Sequence, residues 1–372
     1  MKRNGDSMKY DVLIVGAGLT GAVMARELSE RGEKCLVIDR RKHVGGNCYS
    51  ELRKGIDVHL YGPHIFHCVD ERIWDYFNKY CKLRPFHYTA KVKHKGSLYS
   101  FPINLFTLYQ VYGTDDVSEL KHLIERDCVK IDNPSNLEEW CLSTIGHRLY
   151  NIFVYGYTTK QWGVSPRLLP KSIIKRIPVR YSFDDNYYPD DHISGIPEEG
   201  YYKFFEAILD SKNIDVVLGE DGNKEVLSGR YPTVVYTGSL DELFGYCFGE
   251  LQYRSLNIDI IEYQEDYYQG GPAVHYTDLE VRHTRIVEYK HFVKPMCRVP
   301  DYTVISKETP VEWRQGLERF YPLSTEENKE KHARYLELAK KKGILPAGRL
   351  GRYQYLDMHQ AIGSALSLCR GL

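Results

Sequence analysis

Hydrophobic and polar positions follow three different rhythms along this chain. Near the N-terminus they form short continuous apolar runs, VLIV at 12–15 and CLVI at 35–38. Such runs suit strands of a parallel sheet buried on both faces. Between them, 22–31 has helical spacing and Gly32 supplies a stop. Apolar runs at 214–218, 233–237 and 344–348 predict further strands, the first two able to rejoin that sheet. Helices are expected at 201–210, at 326–342 and from Met358 onward. From 71 to about 165 the helical rhythm dominates, predicting helices at 72–80, 105–112, 117–127, 136–146 and 147–155. A hairpin at 88–93 and 97–101 interrupts them, turning at Lys95-Gly96, and a strand is expected at 177–183. Alternation at 258–263, 273–276, 284–289 and 302–307 predicts an antiparallel sheet. The fold class is therefore α/β, a Rossmann-like nucleotide domain with a helical insertion and an antiparallel β-sheet domain. The expected domains are 1–70, 201–248 and 313–372 for the nucleotide, 71–170 for the mainly helical insertion, and 171–200 with 249–312 for the sheet and the substrate.

The turn after the first strand carries the first candidate chemistry. Gly16, Gly18 and Gly21 stand at the G-x-G-x-x-G spacing. The first permits a tight turn, the second lets backbone N–H groups approach a pyrophosphate, and the third lets helix and strand pack closely. A helix N-terminus aimed at that turn suits a diphosphate. Asp39 ends the second strand, where a ribose hydroxyl needs a carboxylate. A lone glycine fingerprint is weak, but strand, helix, strand and acid occur here in order. A second glycine pair, Gly45-Gly46, follows just beyond the acid and precedes Asn47. That pair suits the close passage of backbone past FAD, so FAD is favoured over NAD.

Composition removes several function classes. The 372 residues carry 50 basic and 50 acidic side chains, so nothing calls for a polyanionic partner such as nucleic acid. No apolar run approaches a membrane span and the first residues are short and polar, so a cytoplasmic protein is expected. The nine cysteines contain no C-x-x-C pair and read as reduced thiols, not as a zinc site or disulfide frame. The 31 tyrosines suit a wet aromatic pocket or an interface.

Past the glycine turn, the stretch 155–163 (YGYTTKQWG) combines aromatics, glycines and a cation with neither helical nor strand period. As structure alone it could be an aromatic-capped loop; as a site, Tyr157 and Trp162 offer faces to a base or sugar. Arg176, Arg180 and Arg285 could neutralise a phosphorylated ligand, although any one arginine is more often a surface residue. The segment 347–360 ends a strand at Gly348 and enters a helix near Asp357, a second helix start near the cofactor. There is no H-E-x-x-H, G-x-S-x-G or P-loop, and no obvious protein nucleophile. The chemistry should then belong to the cofactor.

These motifs together resemble the bacterial UDP-galactopyranose mutase family almost end to end. The carriers are the N-terminal fingerprint, 62–67 (GPHIFH), 156–163 (GYTTKQWG), 175–180 (KRIPVR), 284–286 with 290–292, Tyr321-Pro322, and 348–358. The resemblance implies an isomerase that interconverts pyranose and furanose forms of UDP-galactose using reduced FAD. Flavin N5 would attack the anomeric carbon and expel UDP, the ring would open, and a different hydroxyl would reclose it. It further implies a homodimer that serves cell-surface polysaccharide synthesis and depends on an external reductant. By position, Tyr157 would stack on uracil, with Phe153 and Trp162 in the same cleft. Arg176 and Arg285 would hold the diphosphate, and Tyr187, Tyr321 and Tyr355 would hydrogen-bond it. His64 would lie beside the flavin and, with the two arginines, form the catalytic set. FAD would be contacted by Gly16, Gly18, Leu19, Thr20, Gly21, Asp39, Arg40, Gly46, Asn47, His64, Val217, Arg349, Tyr355, Asp357 and Met358.

The chain departs from the family pattern at Pro63, usually Ala, and at Arg282, usually Pro. At 86–89 (FHYT) it places Tyr88 where the family commonly has a sugar-contacting Asn. These departures leave the flavin and diphosphate machinery alone and bear on the sugar. They keep open a deoxy, N-acetyl or thymidine-linked substrate. A true FAD oxidoreductase and a catalytically silent nucleotide-sugar binder are the rivals from other classes.

Overall fold

The computed structural model describes residues 9–173, 179–188, 193–298 and 300–372. Its first sheet is parallel and five-stranded, in the order Ile214–Leu218, Cys35–Asp39, Val12–Val15, Thr233–Tyr236, Ile344–Pro346. Side-chain alternation explains why the runs at 12–15 and 35–38 are apolar throughout. Val12, Ile14, Cys35 and Val37 pack under the helices Leu19–Glu30, Tyr201–Leu209 and Met358–Arg370. Leu13, Val15, Leu36 and Ile38 face the other way, toward Leu240, Tyr335 and Ala339. A strand buried on both faces has no polar positions to alternate with.

The first helix starts at Leu19, three residues before the sequence-based start, with Gly18 as its N-cap. Gly21 therefore lies inside the helix, and the reason is steric. A Cβ there would sit 1.9 Å from the Gly16 carbonyl oxygen.

The second sheet has seven strands, in the order Tyr321–Pro322, Tyr253–Tyr263, Thr303–Glu312, Arg285–Glu288, Ala273–Tyr276, Ala90–His94, Ser97–Phe101. The last two are the hairpin expected within the helical insertion. Ala90–His94 pairs parallel with Ala273–Tyr276 and buries Ala90 and Val92, so the hairpin completes the second sheet. Most of the rest of the insertion is helical, and three of its helices start on side-chain caps. Asn104, Asp116 and Asn136 each accept a hydrogen bond from the third backbone N–H beyond them.

Two expectations need correction. The stretch 155–163 is not a loop. A π-helical turn, Tyr150–Tyr155, runs directly into the α-helix Gly156–Trp162. That helix is held from outside. Arg254 Nε donates to the Gln161 carbonyl at its C-terminal end (2.9 Å), and Lys160 Nζ donates to the carbonyls of Tyr276, Val281 and His283 (2.8–3.0 Å). The strand expected at 177–183 is also absent in its described part. Residues 179–183 are irregular and are tied through Arg180 N–H to Ile103 O (2.9 Å). The strand in this region is Ile193–Pro197, which pairs with Phe66–Cys68 and Leu83–Pro85 in a small third sheet.

Candidate active site

The glycine turn and its surroundings form a cleft of about 1260 Å³ including its open mouth. A cleft open to solvent and floored by glycine backbone suits a dinucleotide. The cradle is built by close backbone approach. A Cβ on Gly16 would sit 1.9 Å from Thr237 Oγ1, and one on Gly46 would sit 2.9 Å from the Gly18 Cα. The two glycine pairs thus lie face to face, joined by a bridge between Gly18 and Gly45. Bare backbone on both sides is what a pyrophosphate requires.

Most expected cofactor residues line this cleft: Gly16, Gly18, Leu19, Thr20, Gly21, Asp39, Arg40, Gly46, Asn47, His64, Arg349 and Met358. Asp39 has a further task, because its two carboxylate oxygens accept from the N–H groups of Ala17 (2.7 Å) and Arg41 (2.8 Å) and so brace the turn. Val217 does not line the cleft; it packs on the Leu13–Leu36 face of the sheet. Asp221, Gly222 and Asn223 line it instead. Tyr355 and Asp357 stand just outside, while their neighbours Leu356 and Met358 reach in. Asp357 is the N-cap of the last helix, in a capping box with Gln360. Sequence reasoning also missed Glu242 and Arg319, which form an ion pair at the rim.

His64 reaches the cleft from a short loop whose geometry fixes its proton. Its Nδ1 lies 2.8 Å from the Gly62 carbonyl, which can only accept, so Nδ1 carries the hydrogen and Nε2 is left as an acceptor. Burial, with the charges of His59, Arg349 and Arg285, brings its pKa down to about 3. The loop is braced from below. His64 N–H donates to His59 Nδ1 (2.9 Å), which places the His59 proton on Nε2, 3.3 Å from Asp57 Oδ2.

A second group of side chains lies beyond that loop. Gly62 stands next to the Arg285–Glu308 pair, with a Cβ position 3.5 Å from Glu308 Oε1 and 3.7 Å from Arg285 Nη2. Arg285 is clasped by Glu308 through Nε (3.0 Å) and Nη2 (2.7 Å). Burial works against its charge, but Glu308 prevails and raises its pKa well above the ordinary value. The Tyr88, Tyr157 and Tyr321 hydroxyls stand within electrostatic reach of it. Tyr187 lies 5.3 Å from the Tyr88 ring. Trp162, Tyr321, Tyr355 and Arg349 form a continuous row, with ring separations of 6.4 and 6.0 Å and the guanidinium 4.5 Å from the Tyr355 ring. This row links the helix Gly156–Trp162 to the cleft. Phe153 is deeper, stacked 6.2 Å from Phe101 and only 4% exposed. Arg180 donates to the Asn186 carbonyl (2.6 Å) and pairs with Asp184, so it staples its own loop. Arg176 lies outside the described residues. Glu308 and His275 went unread in the sequence because each stands in a strand whose alternation accounts for it without chemistry.

Among the described residues no cluster of His, Cys, Asp or Glu could hold a metal ion, and no helix is long and apolar enough to cross a membrane. The nine cysteines are free thiols.

Fold and site define a dinucleotide-fold protein with a buried arginine–glutamate pair, ringed by tyrosines, beside its glycine-lined cleft. Comparison with known proteins narrows this. The UDP-galactopyranose mutase family model matches residues 152–355, and an NAD(P)-binding Rossmann-like domain model matches 14–80. The chain is 40% identical over 361 residues to a probable UDP-galactopyranose mutase of Klebsiella pneumoniae, covering 96% of this chain and 93% of that one. It is 38% identical over 365 residues to a dTDP-fucopyranose mutase of Escherichia coli, covering 95% and 96%. The fold is similar to a crystal structure of reduced UDP-galactopyranose mutase, with TM-score 0.76 and 16% identity over 98% of this chain and 93% of that one. The chain belongs to the UDP-galactopyranose mutase family and is an isomerase.

Proposed function

We propose that this protein is a flavin-dependent nucleotide-sugar mutase that interconverts the pyranose and furanose forms of UDP-galactose. The observation that carries the reading is the Arg285–Glu308 pair, which abuts the Gly62–His64 loop at the cofactor cleft and is ringed by tyrosine hydroxyls. The facing glycine pairs fit FAD, with Asp39 bracing their turn. Reduced FAD, when bound, supplies the nucleophile for the anomeric carbon and leaves no net redox change.

The protein's own residues bind, hold and neutralise. Tyr157 and Trp162 take the base, as aromatic faces on one helix. Arg285, with Arg176, takes the diphosphate, whose charge grows as the glycosidic bond breaks. Tyr187, Tyr321 and Tyr355 donate hydroxyl hydrogens to its oxygens. Glu308 fixes the Arg285 fork so that little reorganisation accompanies that charge. His64 is neutral and offers Nε2 as an acceptor at the cofactor. A homodimer, a cytoplasmic setting and supply of furanose units to cell-surface polysaccharide accompany this reading on family grounds.

A second reading keeps the chemistry and changes the sugar. It is favoured by Tyr88, which is 2% exposed and places its hydroxyl beside Arg285. The relative named for dTDP-fucopyranose is consistent with it. The deciding experiment incubates dithionite-reduced protein with UDP-galactose, its deoxy and N-acetyl relatives and the thymidine-linked series, and separates ring forms by chromatography. Furanose from UDP-galactose at the highest kcat/KM supports the first reading. Steady flavin oxidation or reduction coupled to substrate, without ring interchange, would replace both by an oxidoreductase.

A further inference from the structure

The turn 277–284 joins the strands Ala273–Tyr276 and Arg285–Glu288, so whatever fixes that turn fixes the entry to Arg285. The carbonyls of Tyr276, Val281 and His283 converge on one atom, Lys160 Nζ, at 2.8, 2.8 and 3.0 Å. An ammonium has three N–H donors and no acceptor, so donors and carbonyls match one to one. The first of these carbonyls ends one strand of the hairpin, and the last lies just ahead of Arg285 on the other side. Gly156 stands one helical turn before Lys160, on the same face of the helix Gly156–Trp162. A Cβ there would sit 1.8 Å from the Thr277 carbonyl oxygen. The helix thus rests on the turn through bare backbone at one level and through the ammonium at the next. Gly156 permits the approach, and Lys160 supplies the donors that backbone carbonyls away from water require. The same helix carries Trp162 and Tyr157, the latter with its ring 5.4 Å from His275 and its hydroxyl within electrostatic reach of Arg285.

We propose that Lys160 is a positioning residue of the mutase site, locking the helix that presents Tyr157 and Trp162 to the hairpin that presents Arg285. This rests on the mutase reading, which gives the base to that helix and the diphosphate to that arginine, and adds what sets their separation. A nucleoside diphosphate spanning two subsites gains over its separate halves only where the subsites stand at the distance its own bonds impose. Lys160 spends its three donors on the hairpin, so its loss should spare the halves and weaken the whole. The lock also has an alkaline limit. Burial brings the Lys160 pKa down to about 8, against the opposing charges of Asp278 and Glu280 on the turn. Its surroundings also hold Arg254, bound to the Lys160 and Gln161 carbonyls, and His94 and Lys95 beside Asp278. Lys307 stands near His283, whose own pKa is lowered to about 4, so that imidazole is neutral throughout this range. Above about pH 8 the amine keeps two donors for three carbonyls, and the lock loosens.

The test uses Lys160→Met, which keeps a long unbranched side chain and removes the donors, and Lys160→Arg, which stays charged. On flavin-loaded, oxidised protein, Kd is measured for whichever of UDP and dTDP wild type binds more tightly, for its nucleoside and for inorganic pyrophosphate. Lys160→Met should bind the nucleoside diphosphate on the order of 10- to 100-fold more weakly. It should bind nucleoside and pyrophosphate within a few-fold of wild type, with unchanged flavin content, because Lys160 does not line the cofactor cleft. Lys160→Arg should recover part of the loss. Whole and halves weakened alike in Lys160→Met, or no weakening at all, overturns the proposal. If Lys160→Met does not fold, a titration from about pH 7 to 9 decides. Wild-type affinity for the nucleoside diphosphate should fall through about pH 8 relative to Lys160→Arg, which meets the same ligand ionisation and keeps its cation. A profile shared by the two proteins overturns the proposal. Reduced wild type that interchanges no ring forms overturns the mutase reading alone, because the binding measurements need only the nucleoside diphosphate. A wild type that binds the nucleoside diphosphate no better than its halves overturns the lock, whatever the chemistry.

Discussion

Arg285 and Glu308 face each other across adjacent antiparallel strands, as directly paired positions, with Nε and Nη2 at 3.0 and 2.7 Å from one carboxylate oxygen. Glu308 is only 3% exposed, so the carboxylate has exchanged water for the guanidinium. An acid beside the arginine meant for a diphosphate looks self-defeating, because it cancels the charge the ligand needs. Geometry resolves this. Glu308 occupies one edge of the fork, and a guanidinium has five donors. A buried arginine without an acid would be costly and mobile. The acid keeps it charged and aimed, and its remaining donors serve the ligand.

Glu308→Gln should therefore cost turnover while leaving the cofactor in place. Losing the charge-assisted clasp removes roughly 1.5–3 kcal/mol, or about 10- to 100-fold in kcat/KM. Flavin absorbance per mole of protein should be unchanged, because Glu308 does not line the cofactor cleft. Wild-type kcat/KM in Glu308→Gln would remove the positioning role.

Arg285→Ala and Arg176→Ala should each abolish most turnover with flavin content near wild type. Each is assigned to the leaving diphosphate, where charge develops in the chemical step, and losing such a contact costs about a few kcal/mol. Single-turnover kinetics on reduced enzyme separates this from weakened binding. Either variant with wild-type turnover drops out of the site.

How much of this was legible beforehand depends on what forces each element. The glycine fingerprint was readable because Gly21 cannot be anything larger beside the Gly16 carbonyl, at 1.9 Å from its Cβ position. Sterics of that kind act within one βαβ unit and leave a local trace. The helix Gly156–Trp162 left none. It is held by Arg254 and Lys160, whose partners lie some ninety to over a hundred residues away, and by Gly156, whose Cβ would sit 1.8 Å from the Thr277 carbonyl oxygen. Tertiary contact overrode a composition that favours a loop. The hairpin at 90–101 was recognised as a hairpin, but its pairing with Ala273–Tyr276 was not readable, since alternation specifies a buried face and not its partner. His275 and Glu308 fit their strand patterns, so only the register that brings both to Arg285 reveals them.

The cofactor prediction is visible to the eye. Purified protein should be yellow, and acid precipitation should release all of the flavin as FAD, since the assignment requires noncovalent binding. Gly21→Ala should lose the flavin or fail to fold, because its Cβ would collide with backbone. Gly32→Ala meets no atom within 4 Å and is the control for substitution at positive φ. Finding only NAD, or flavin that stays on precipitated protein, overturns the assignment.

Acid should destabilise the protein partly through His275. Its folded pKa is lowered from 6.5 to about 3, first by burial and then by Arg285. The unfolded chain therefore binds a proton between those values that the folded chain refuses. Stability is full above about pH 6.5 and falls as pH drops toward 3. At pH 4.5 the loss from this residue is roughly 2–3 kcal/mol relative to pH 7.5. Urea midpoints at both pH values, for wild type and His275→Asn, give the measurement. The variant should lose less stability on acidification, and an equal loss would show that His275 is not held neutral by the fold.

Tyr88 is the position where the sugar should be decided. Its ring lies 5.3 Å from Tyr187 and 6.2 Å from Tyr188, stacked with the latter, and 6.4 Å from Phe292. The hydroxyl is enclosed beside Arg285. The side chain is thus a buried group whose hydroxyl reaches the arginine meant for the diphosphate. A phenol is longer than the amide common at this position in the family and offers one hydroxyl in place of an oxygen and an NH₂. It should move or relax selection at one sugar hydroxyl, because hydrogen-bonded hydroxyls are read sharply and apolar walls weakly. Competition between UDP-galactose and its deoxy and N-acetyl relatives on reduced wild type and on Tyr88→Asn reads this directly. Wild type is expected to handle one of the modified sugars at least as well as galactose, and Tyr88→Asn should shift the ratio toward galactose by about 10-fold or more, the value of one good hydrogen bond. If wild type prefers UDP-galactose outright and the substitution leaves every ratio unchanged, Tyr88 is a packing residue and the family's ordinary substrate stands.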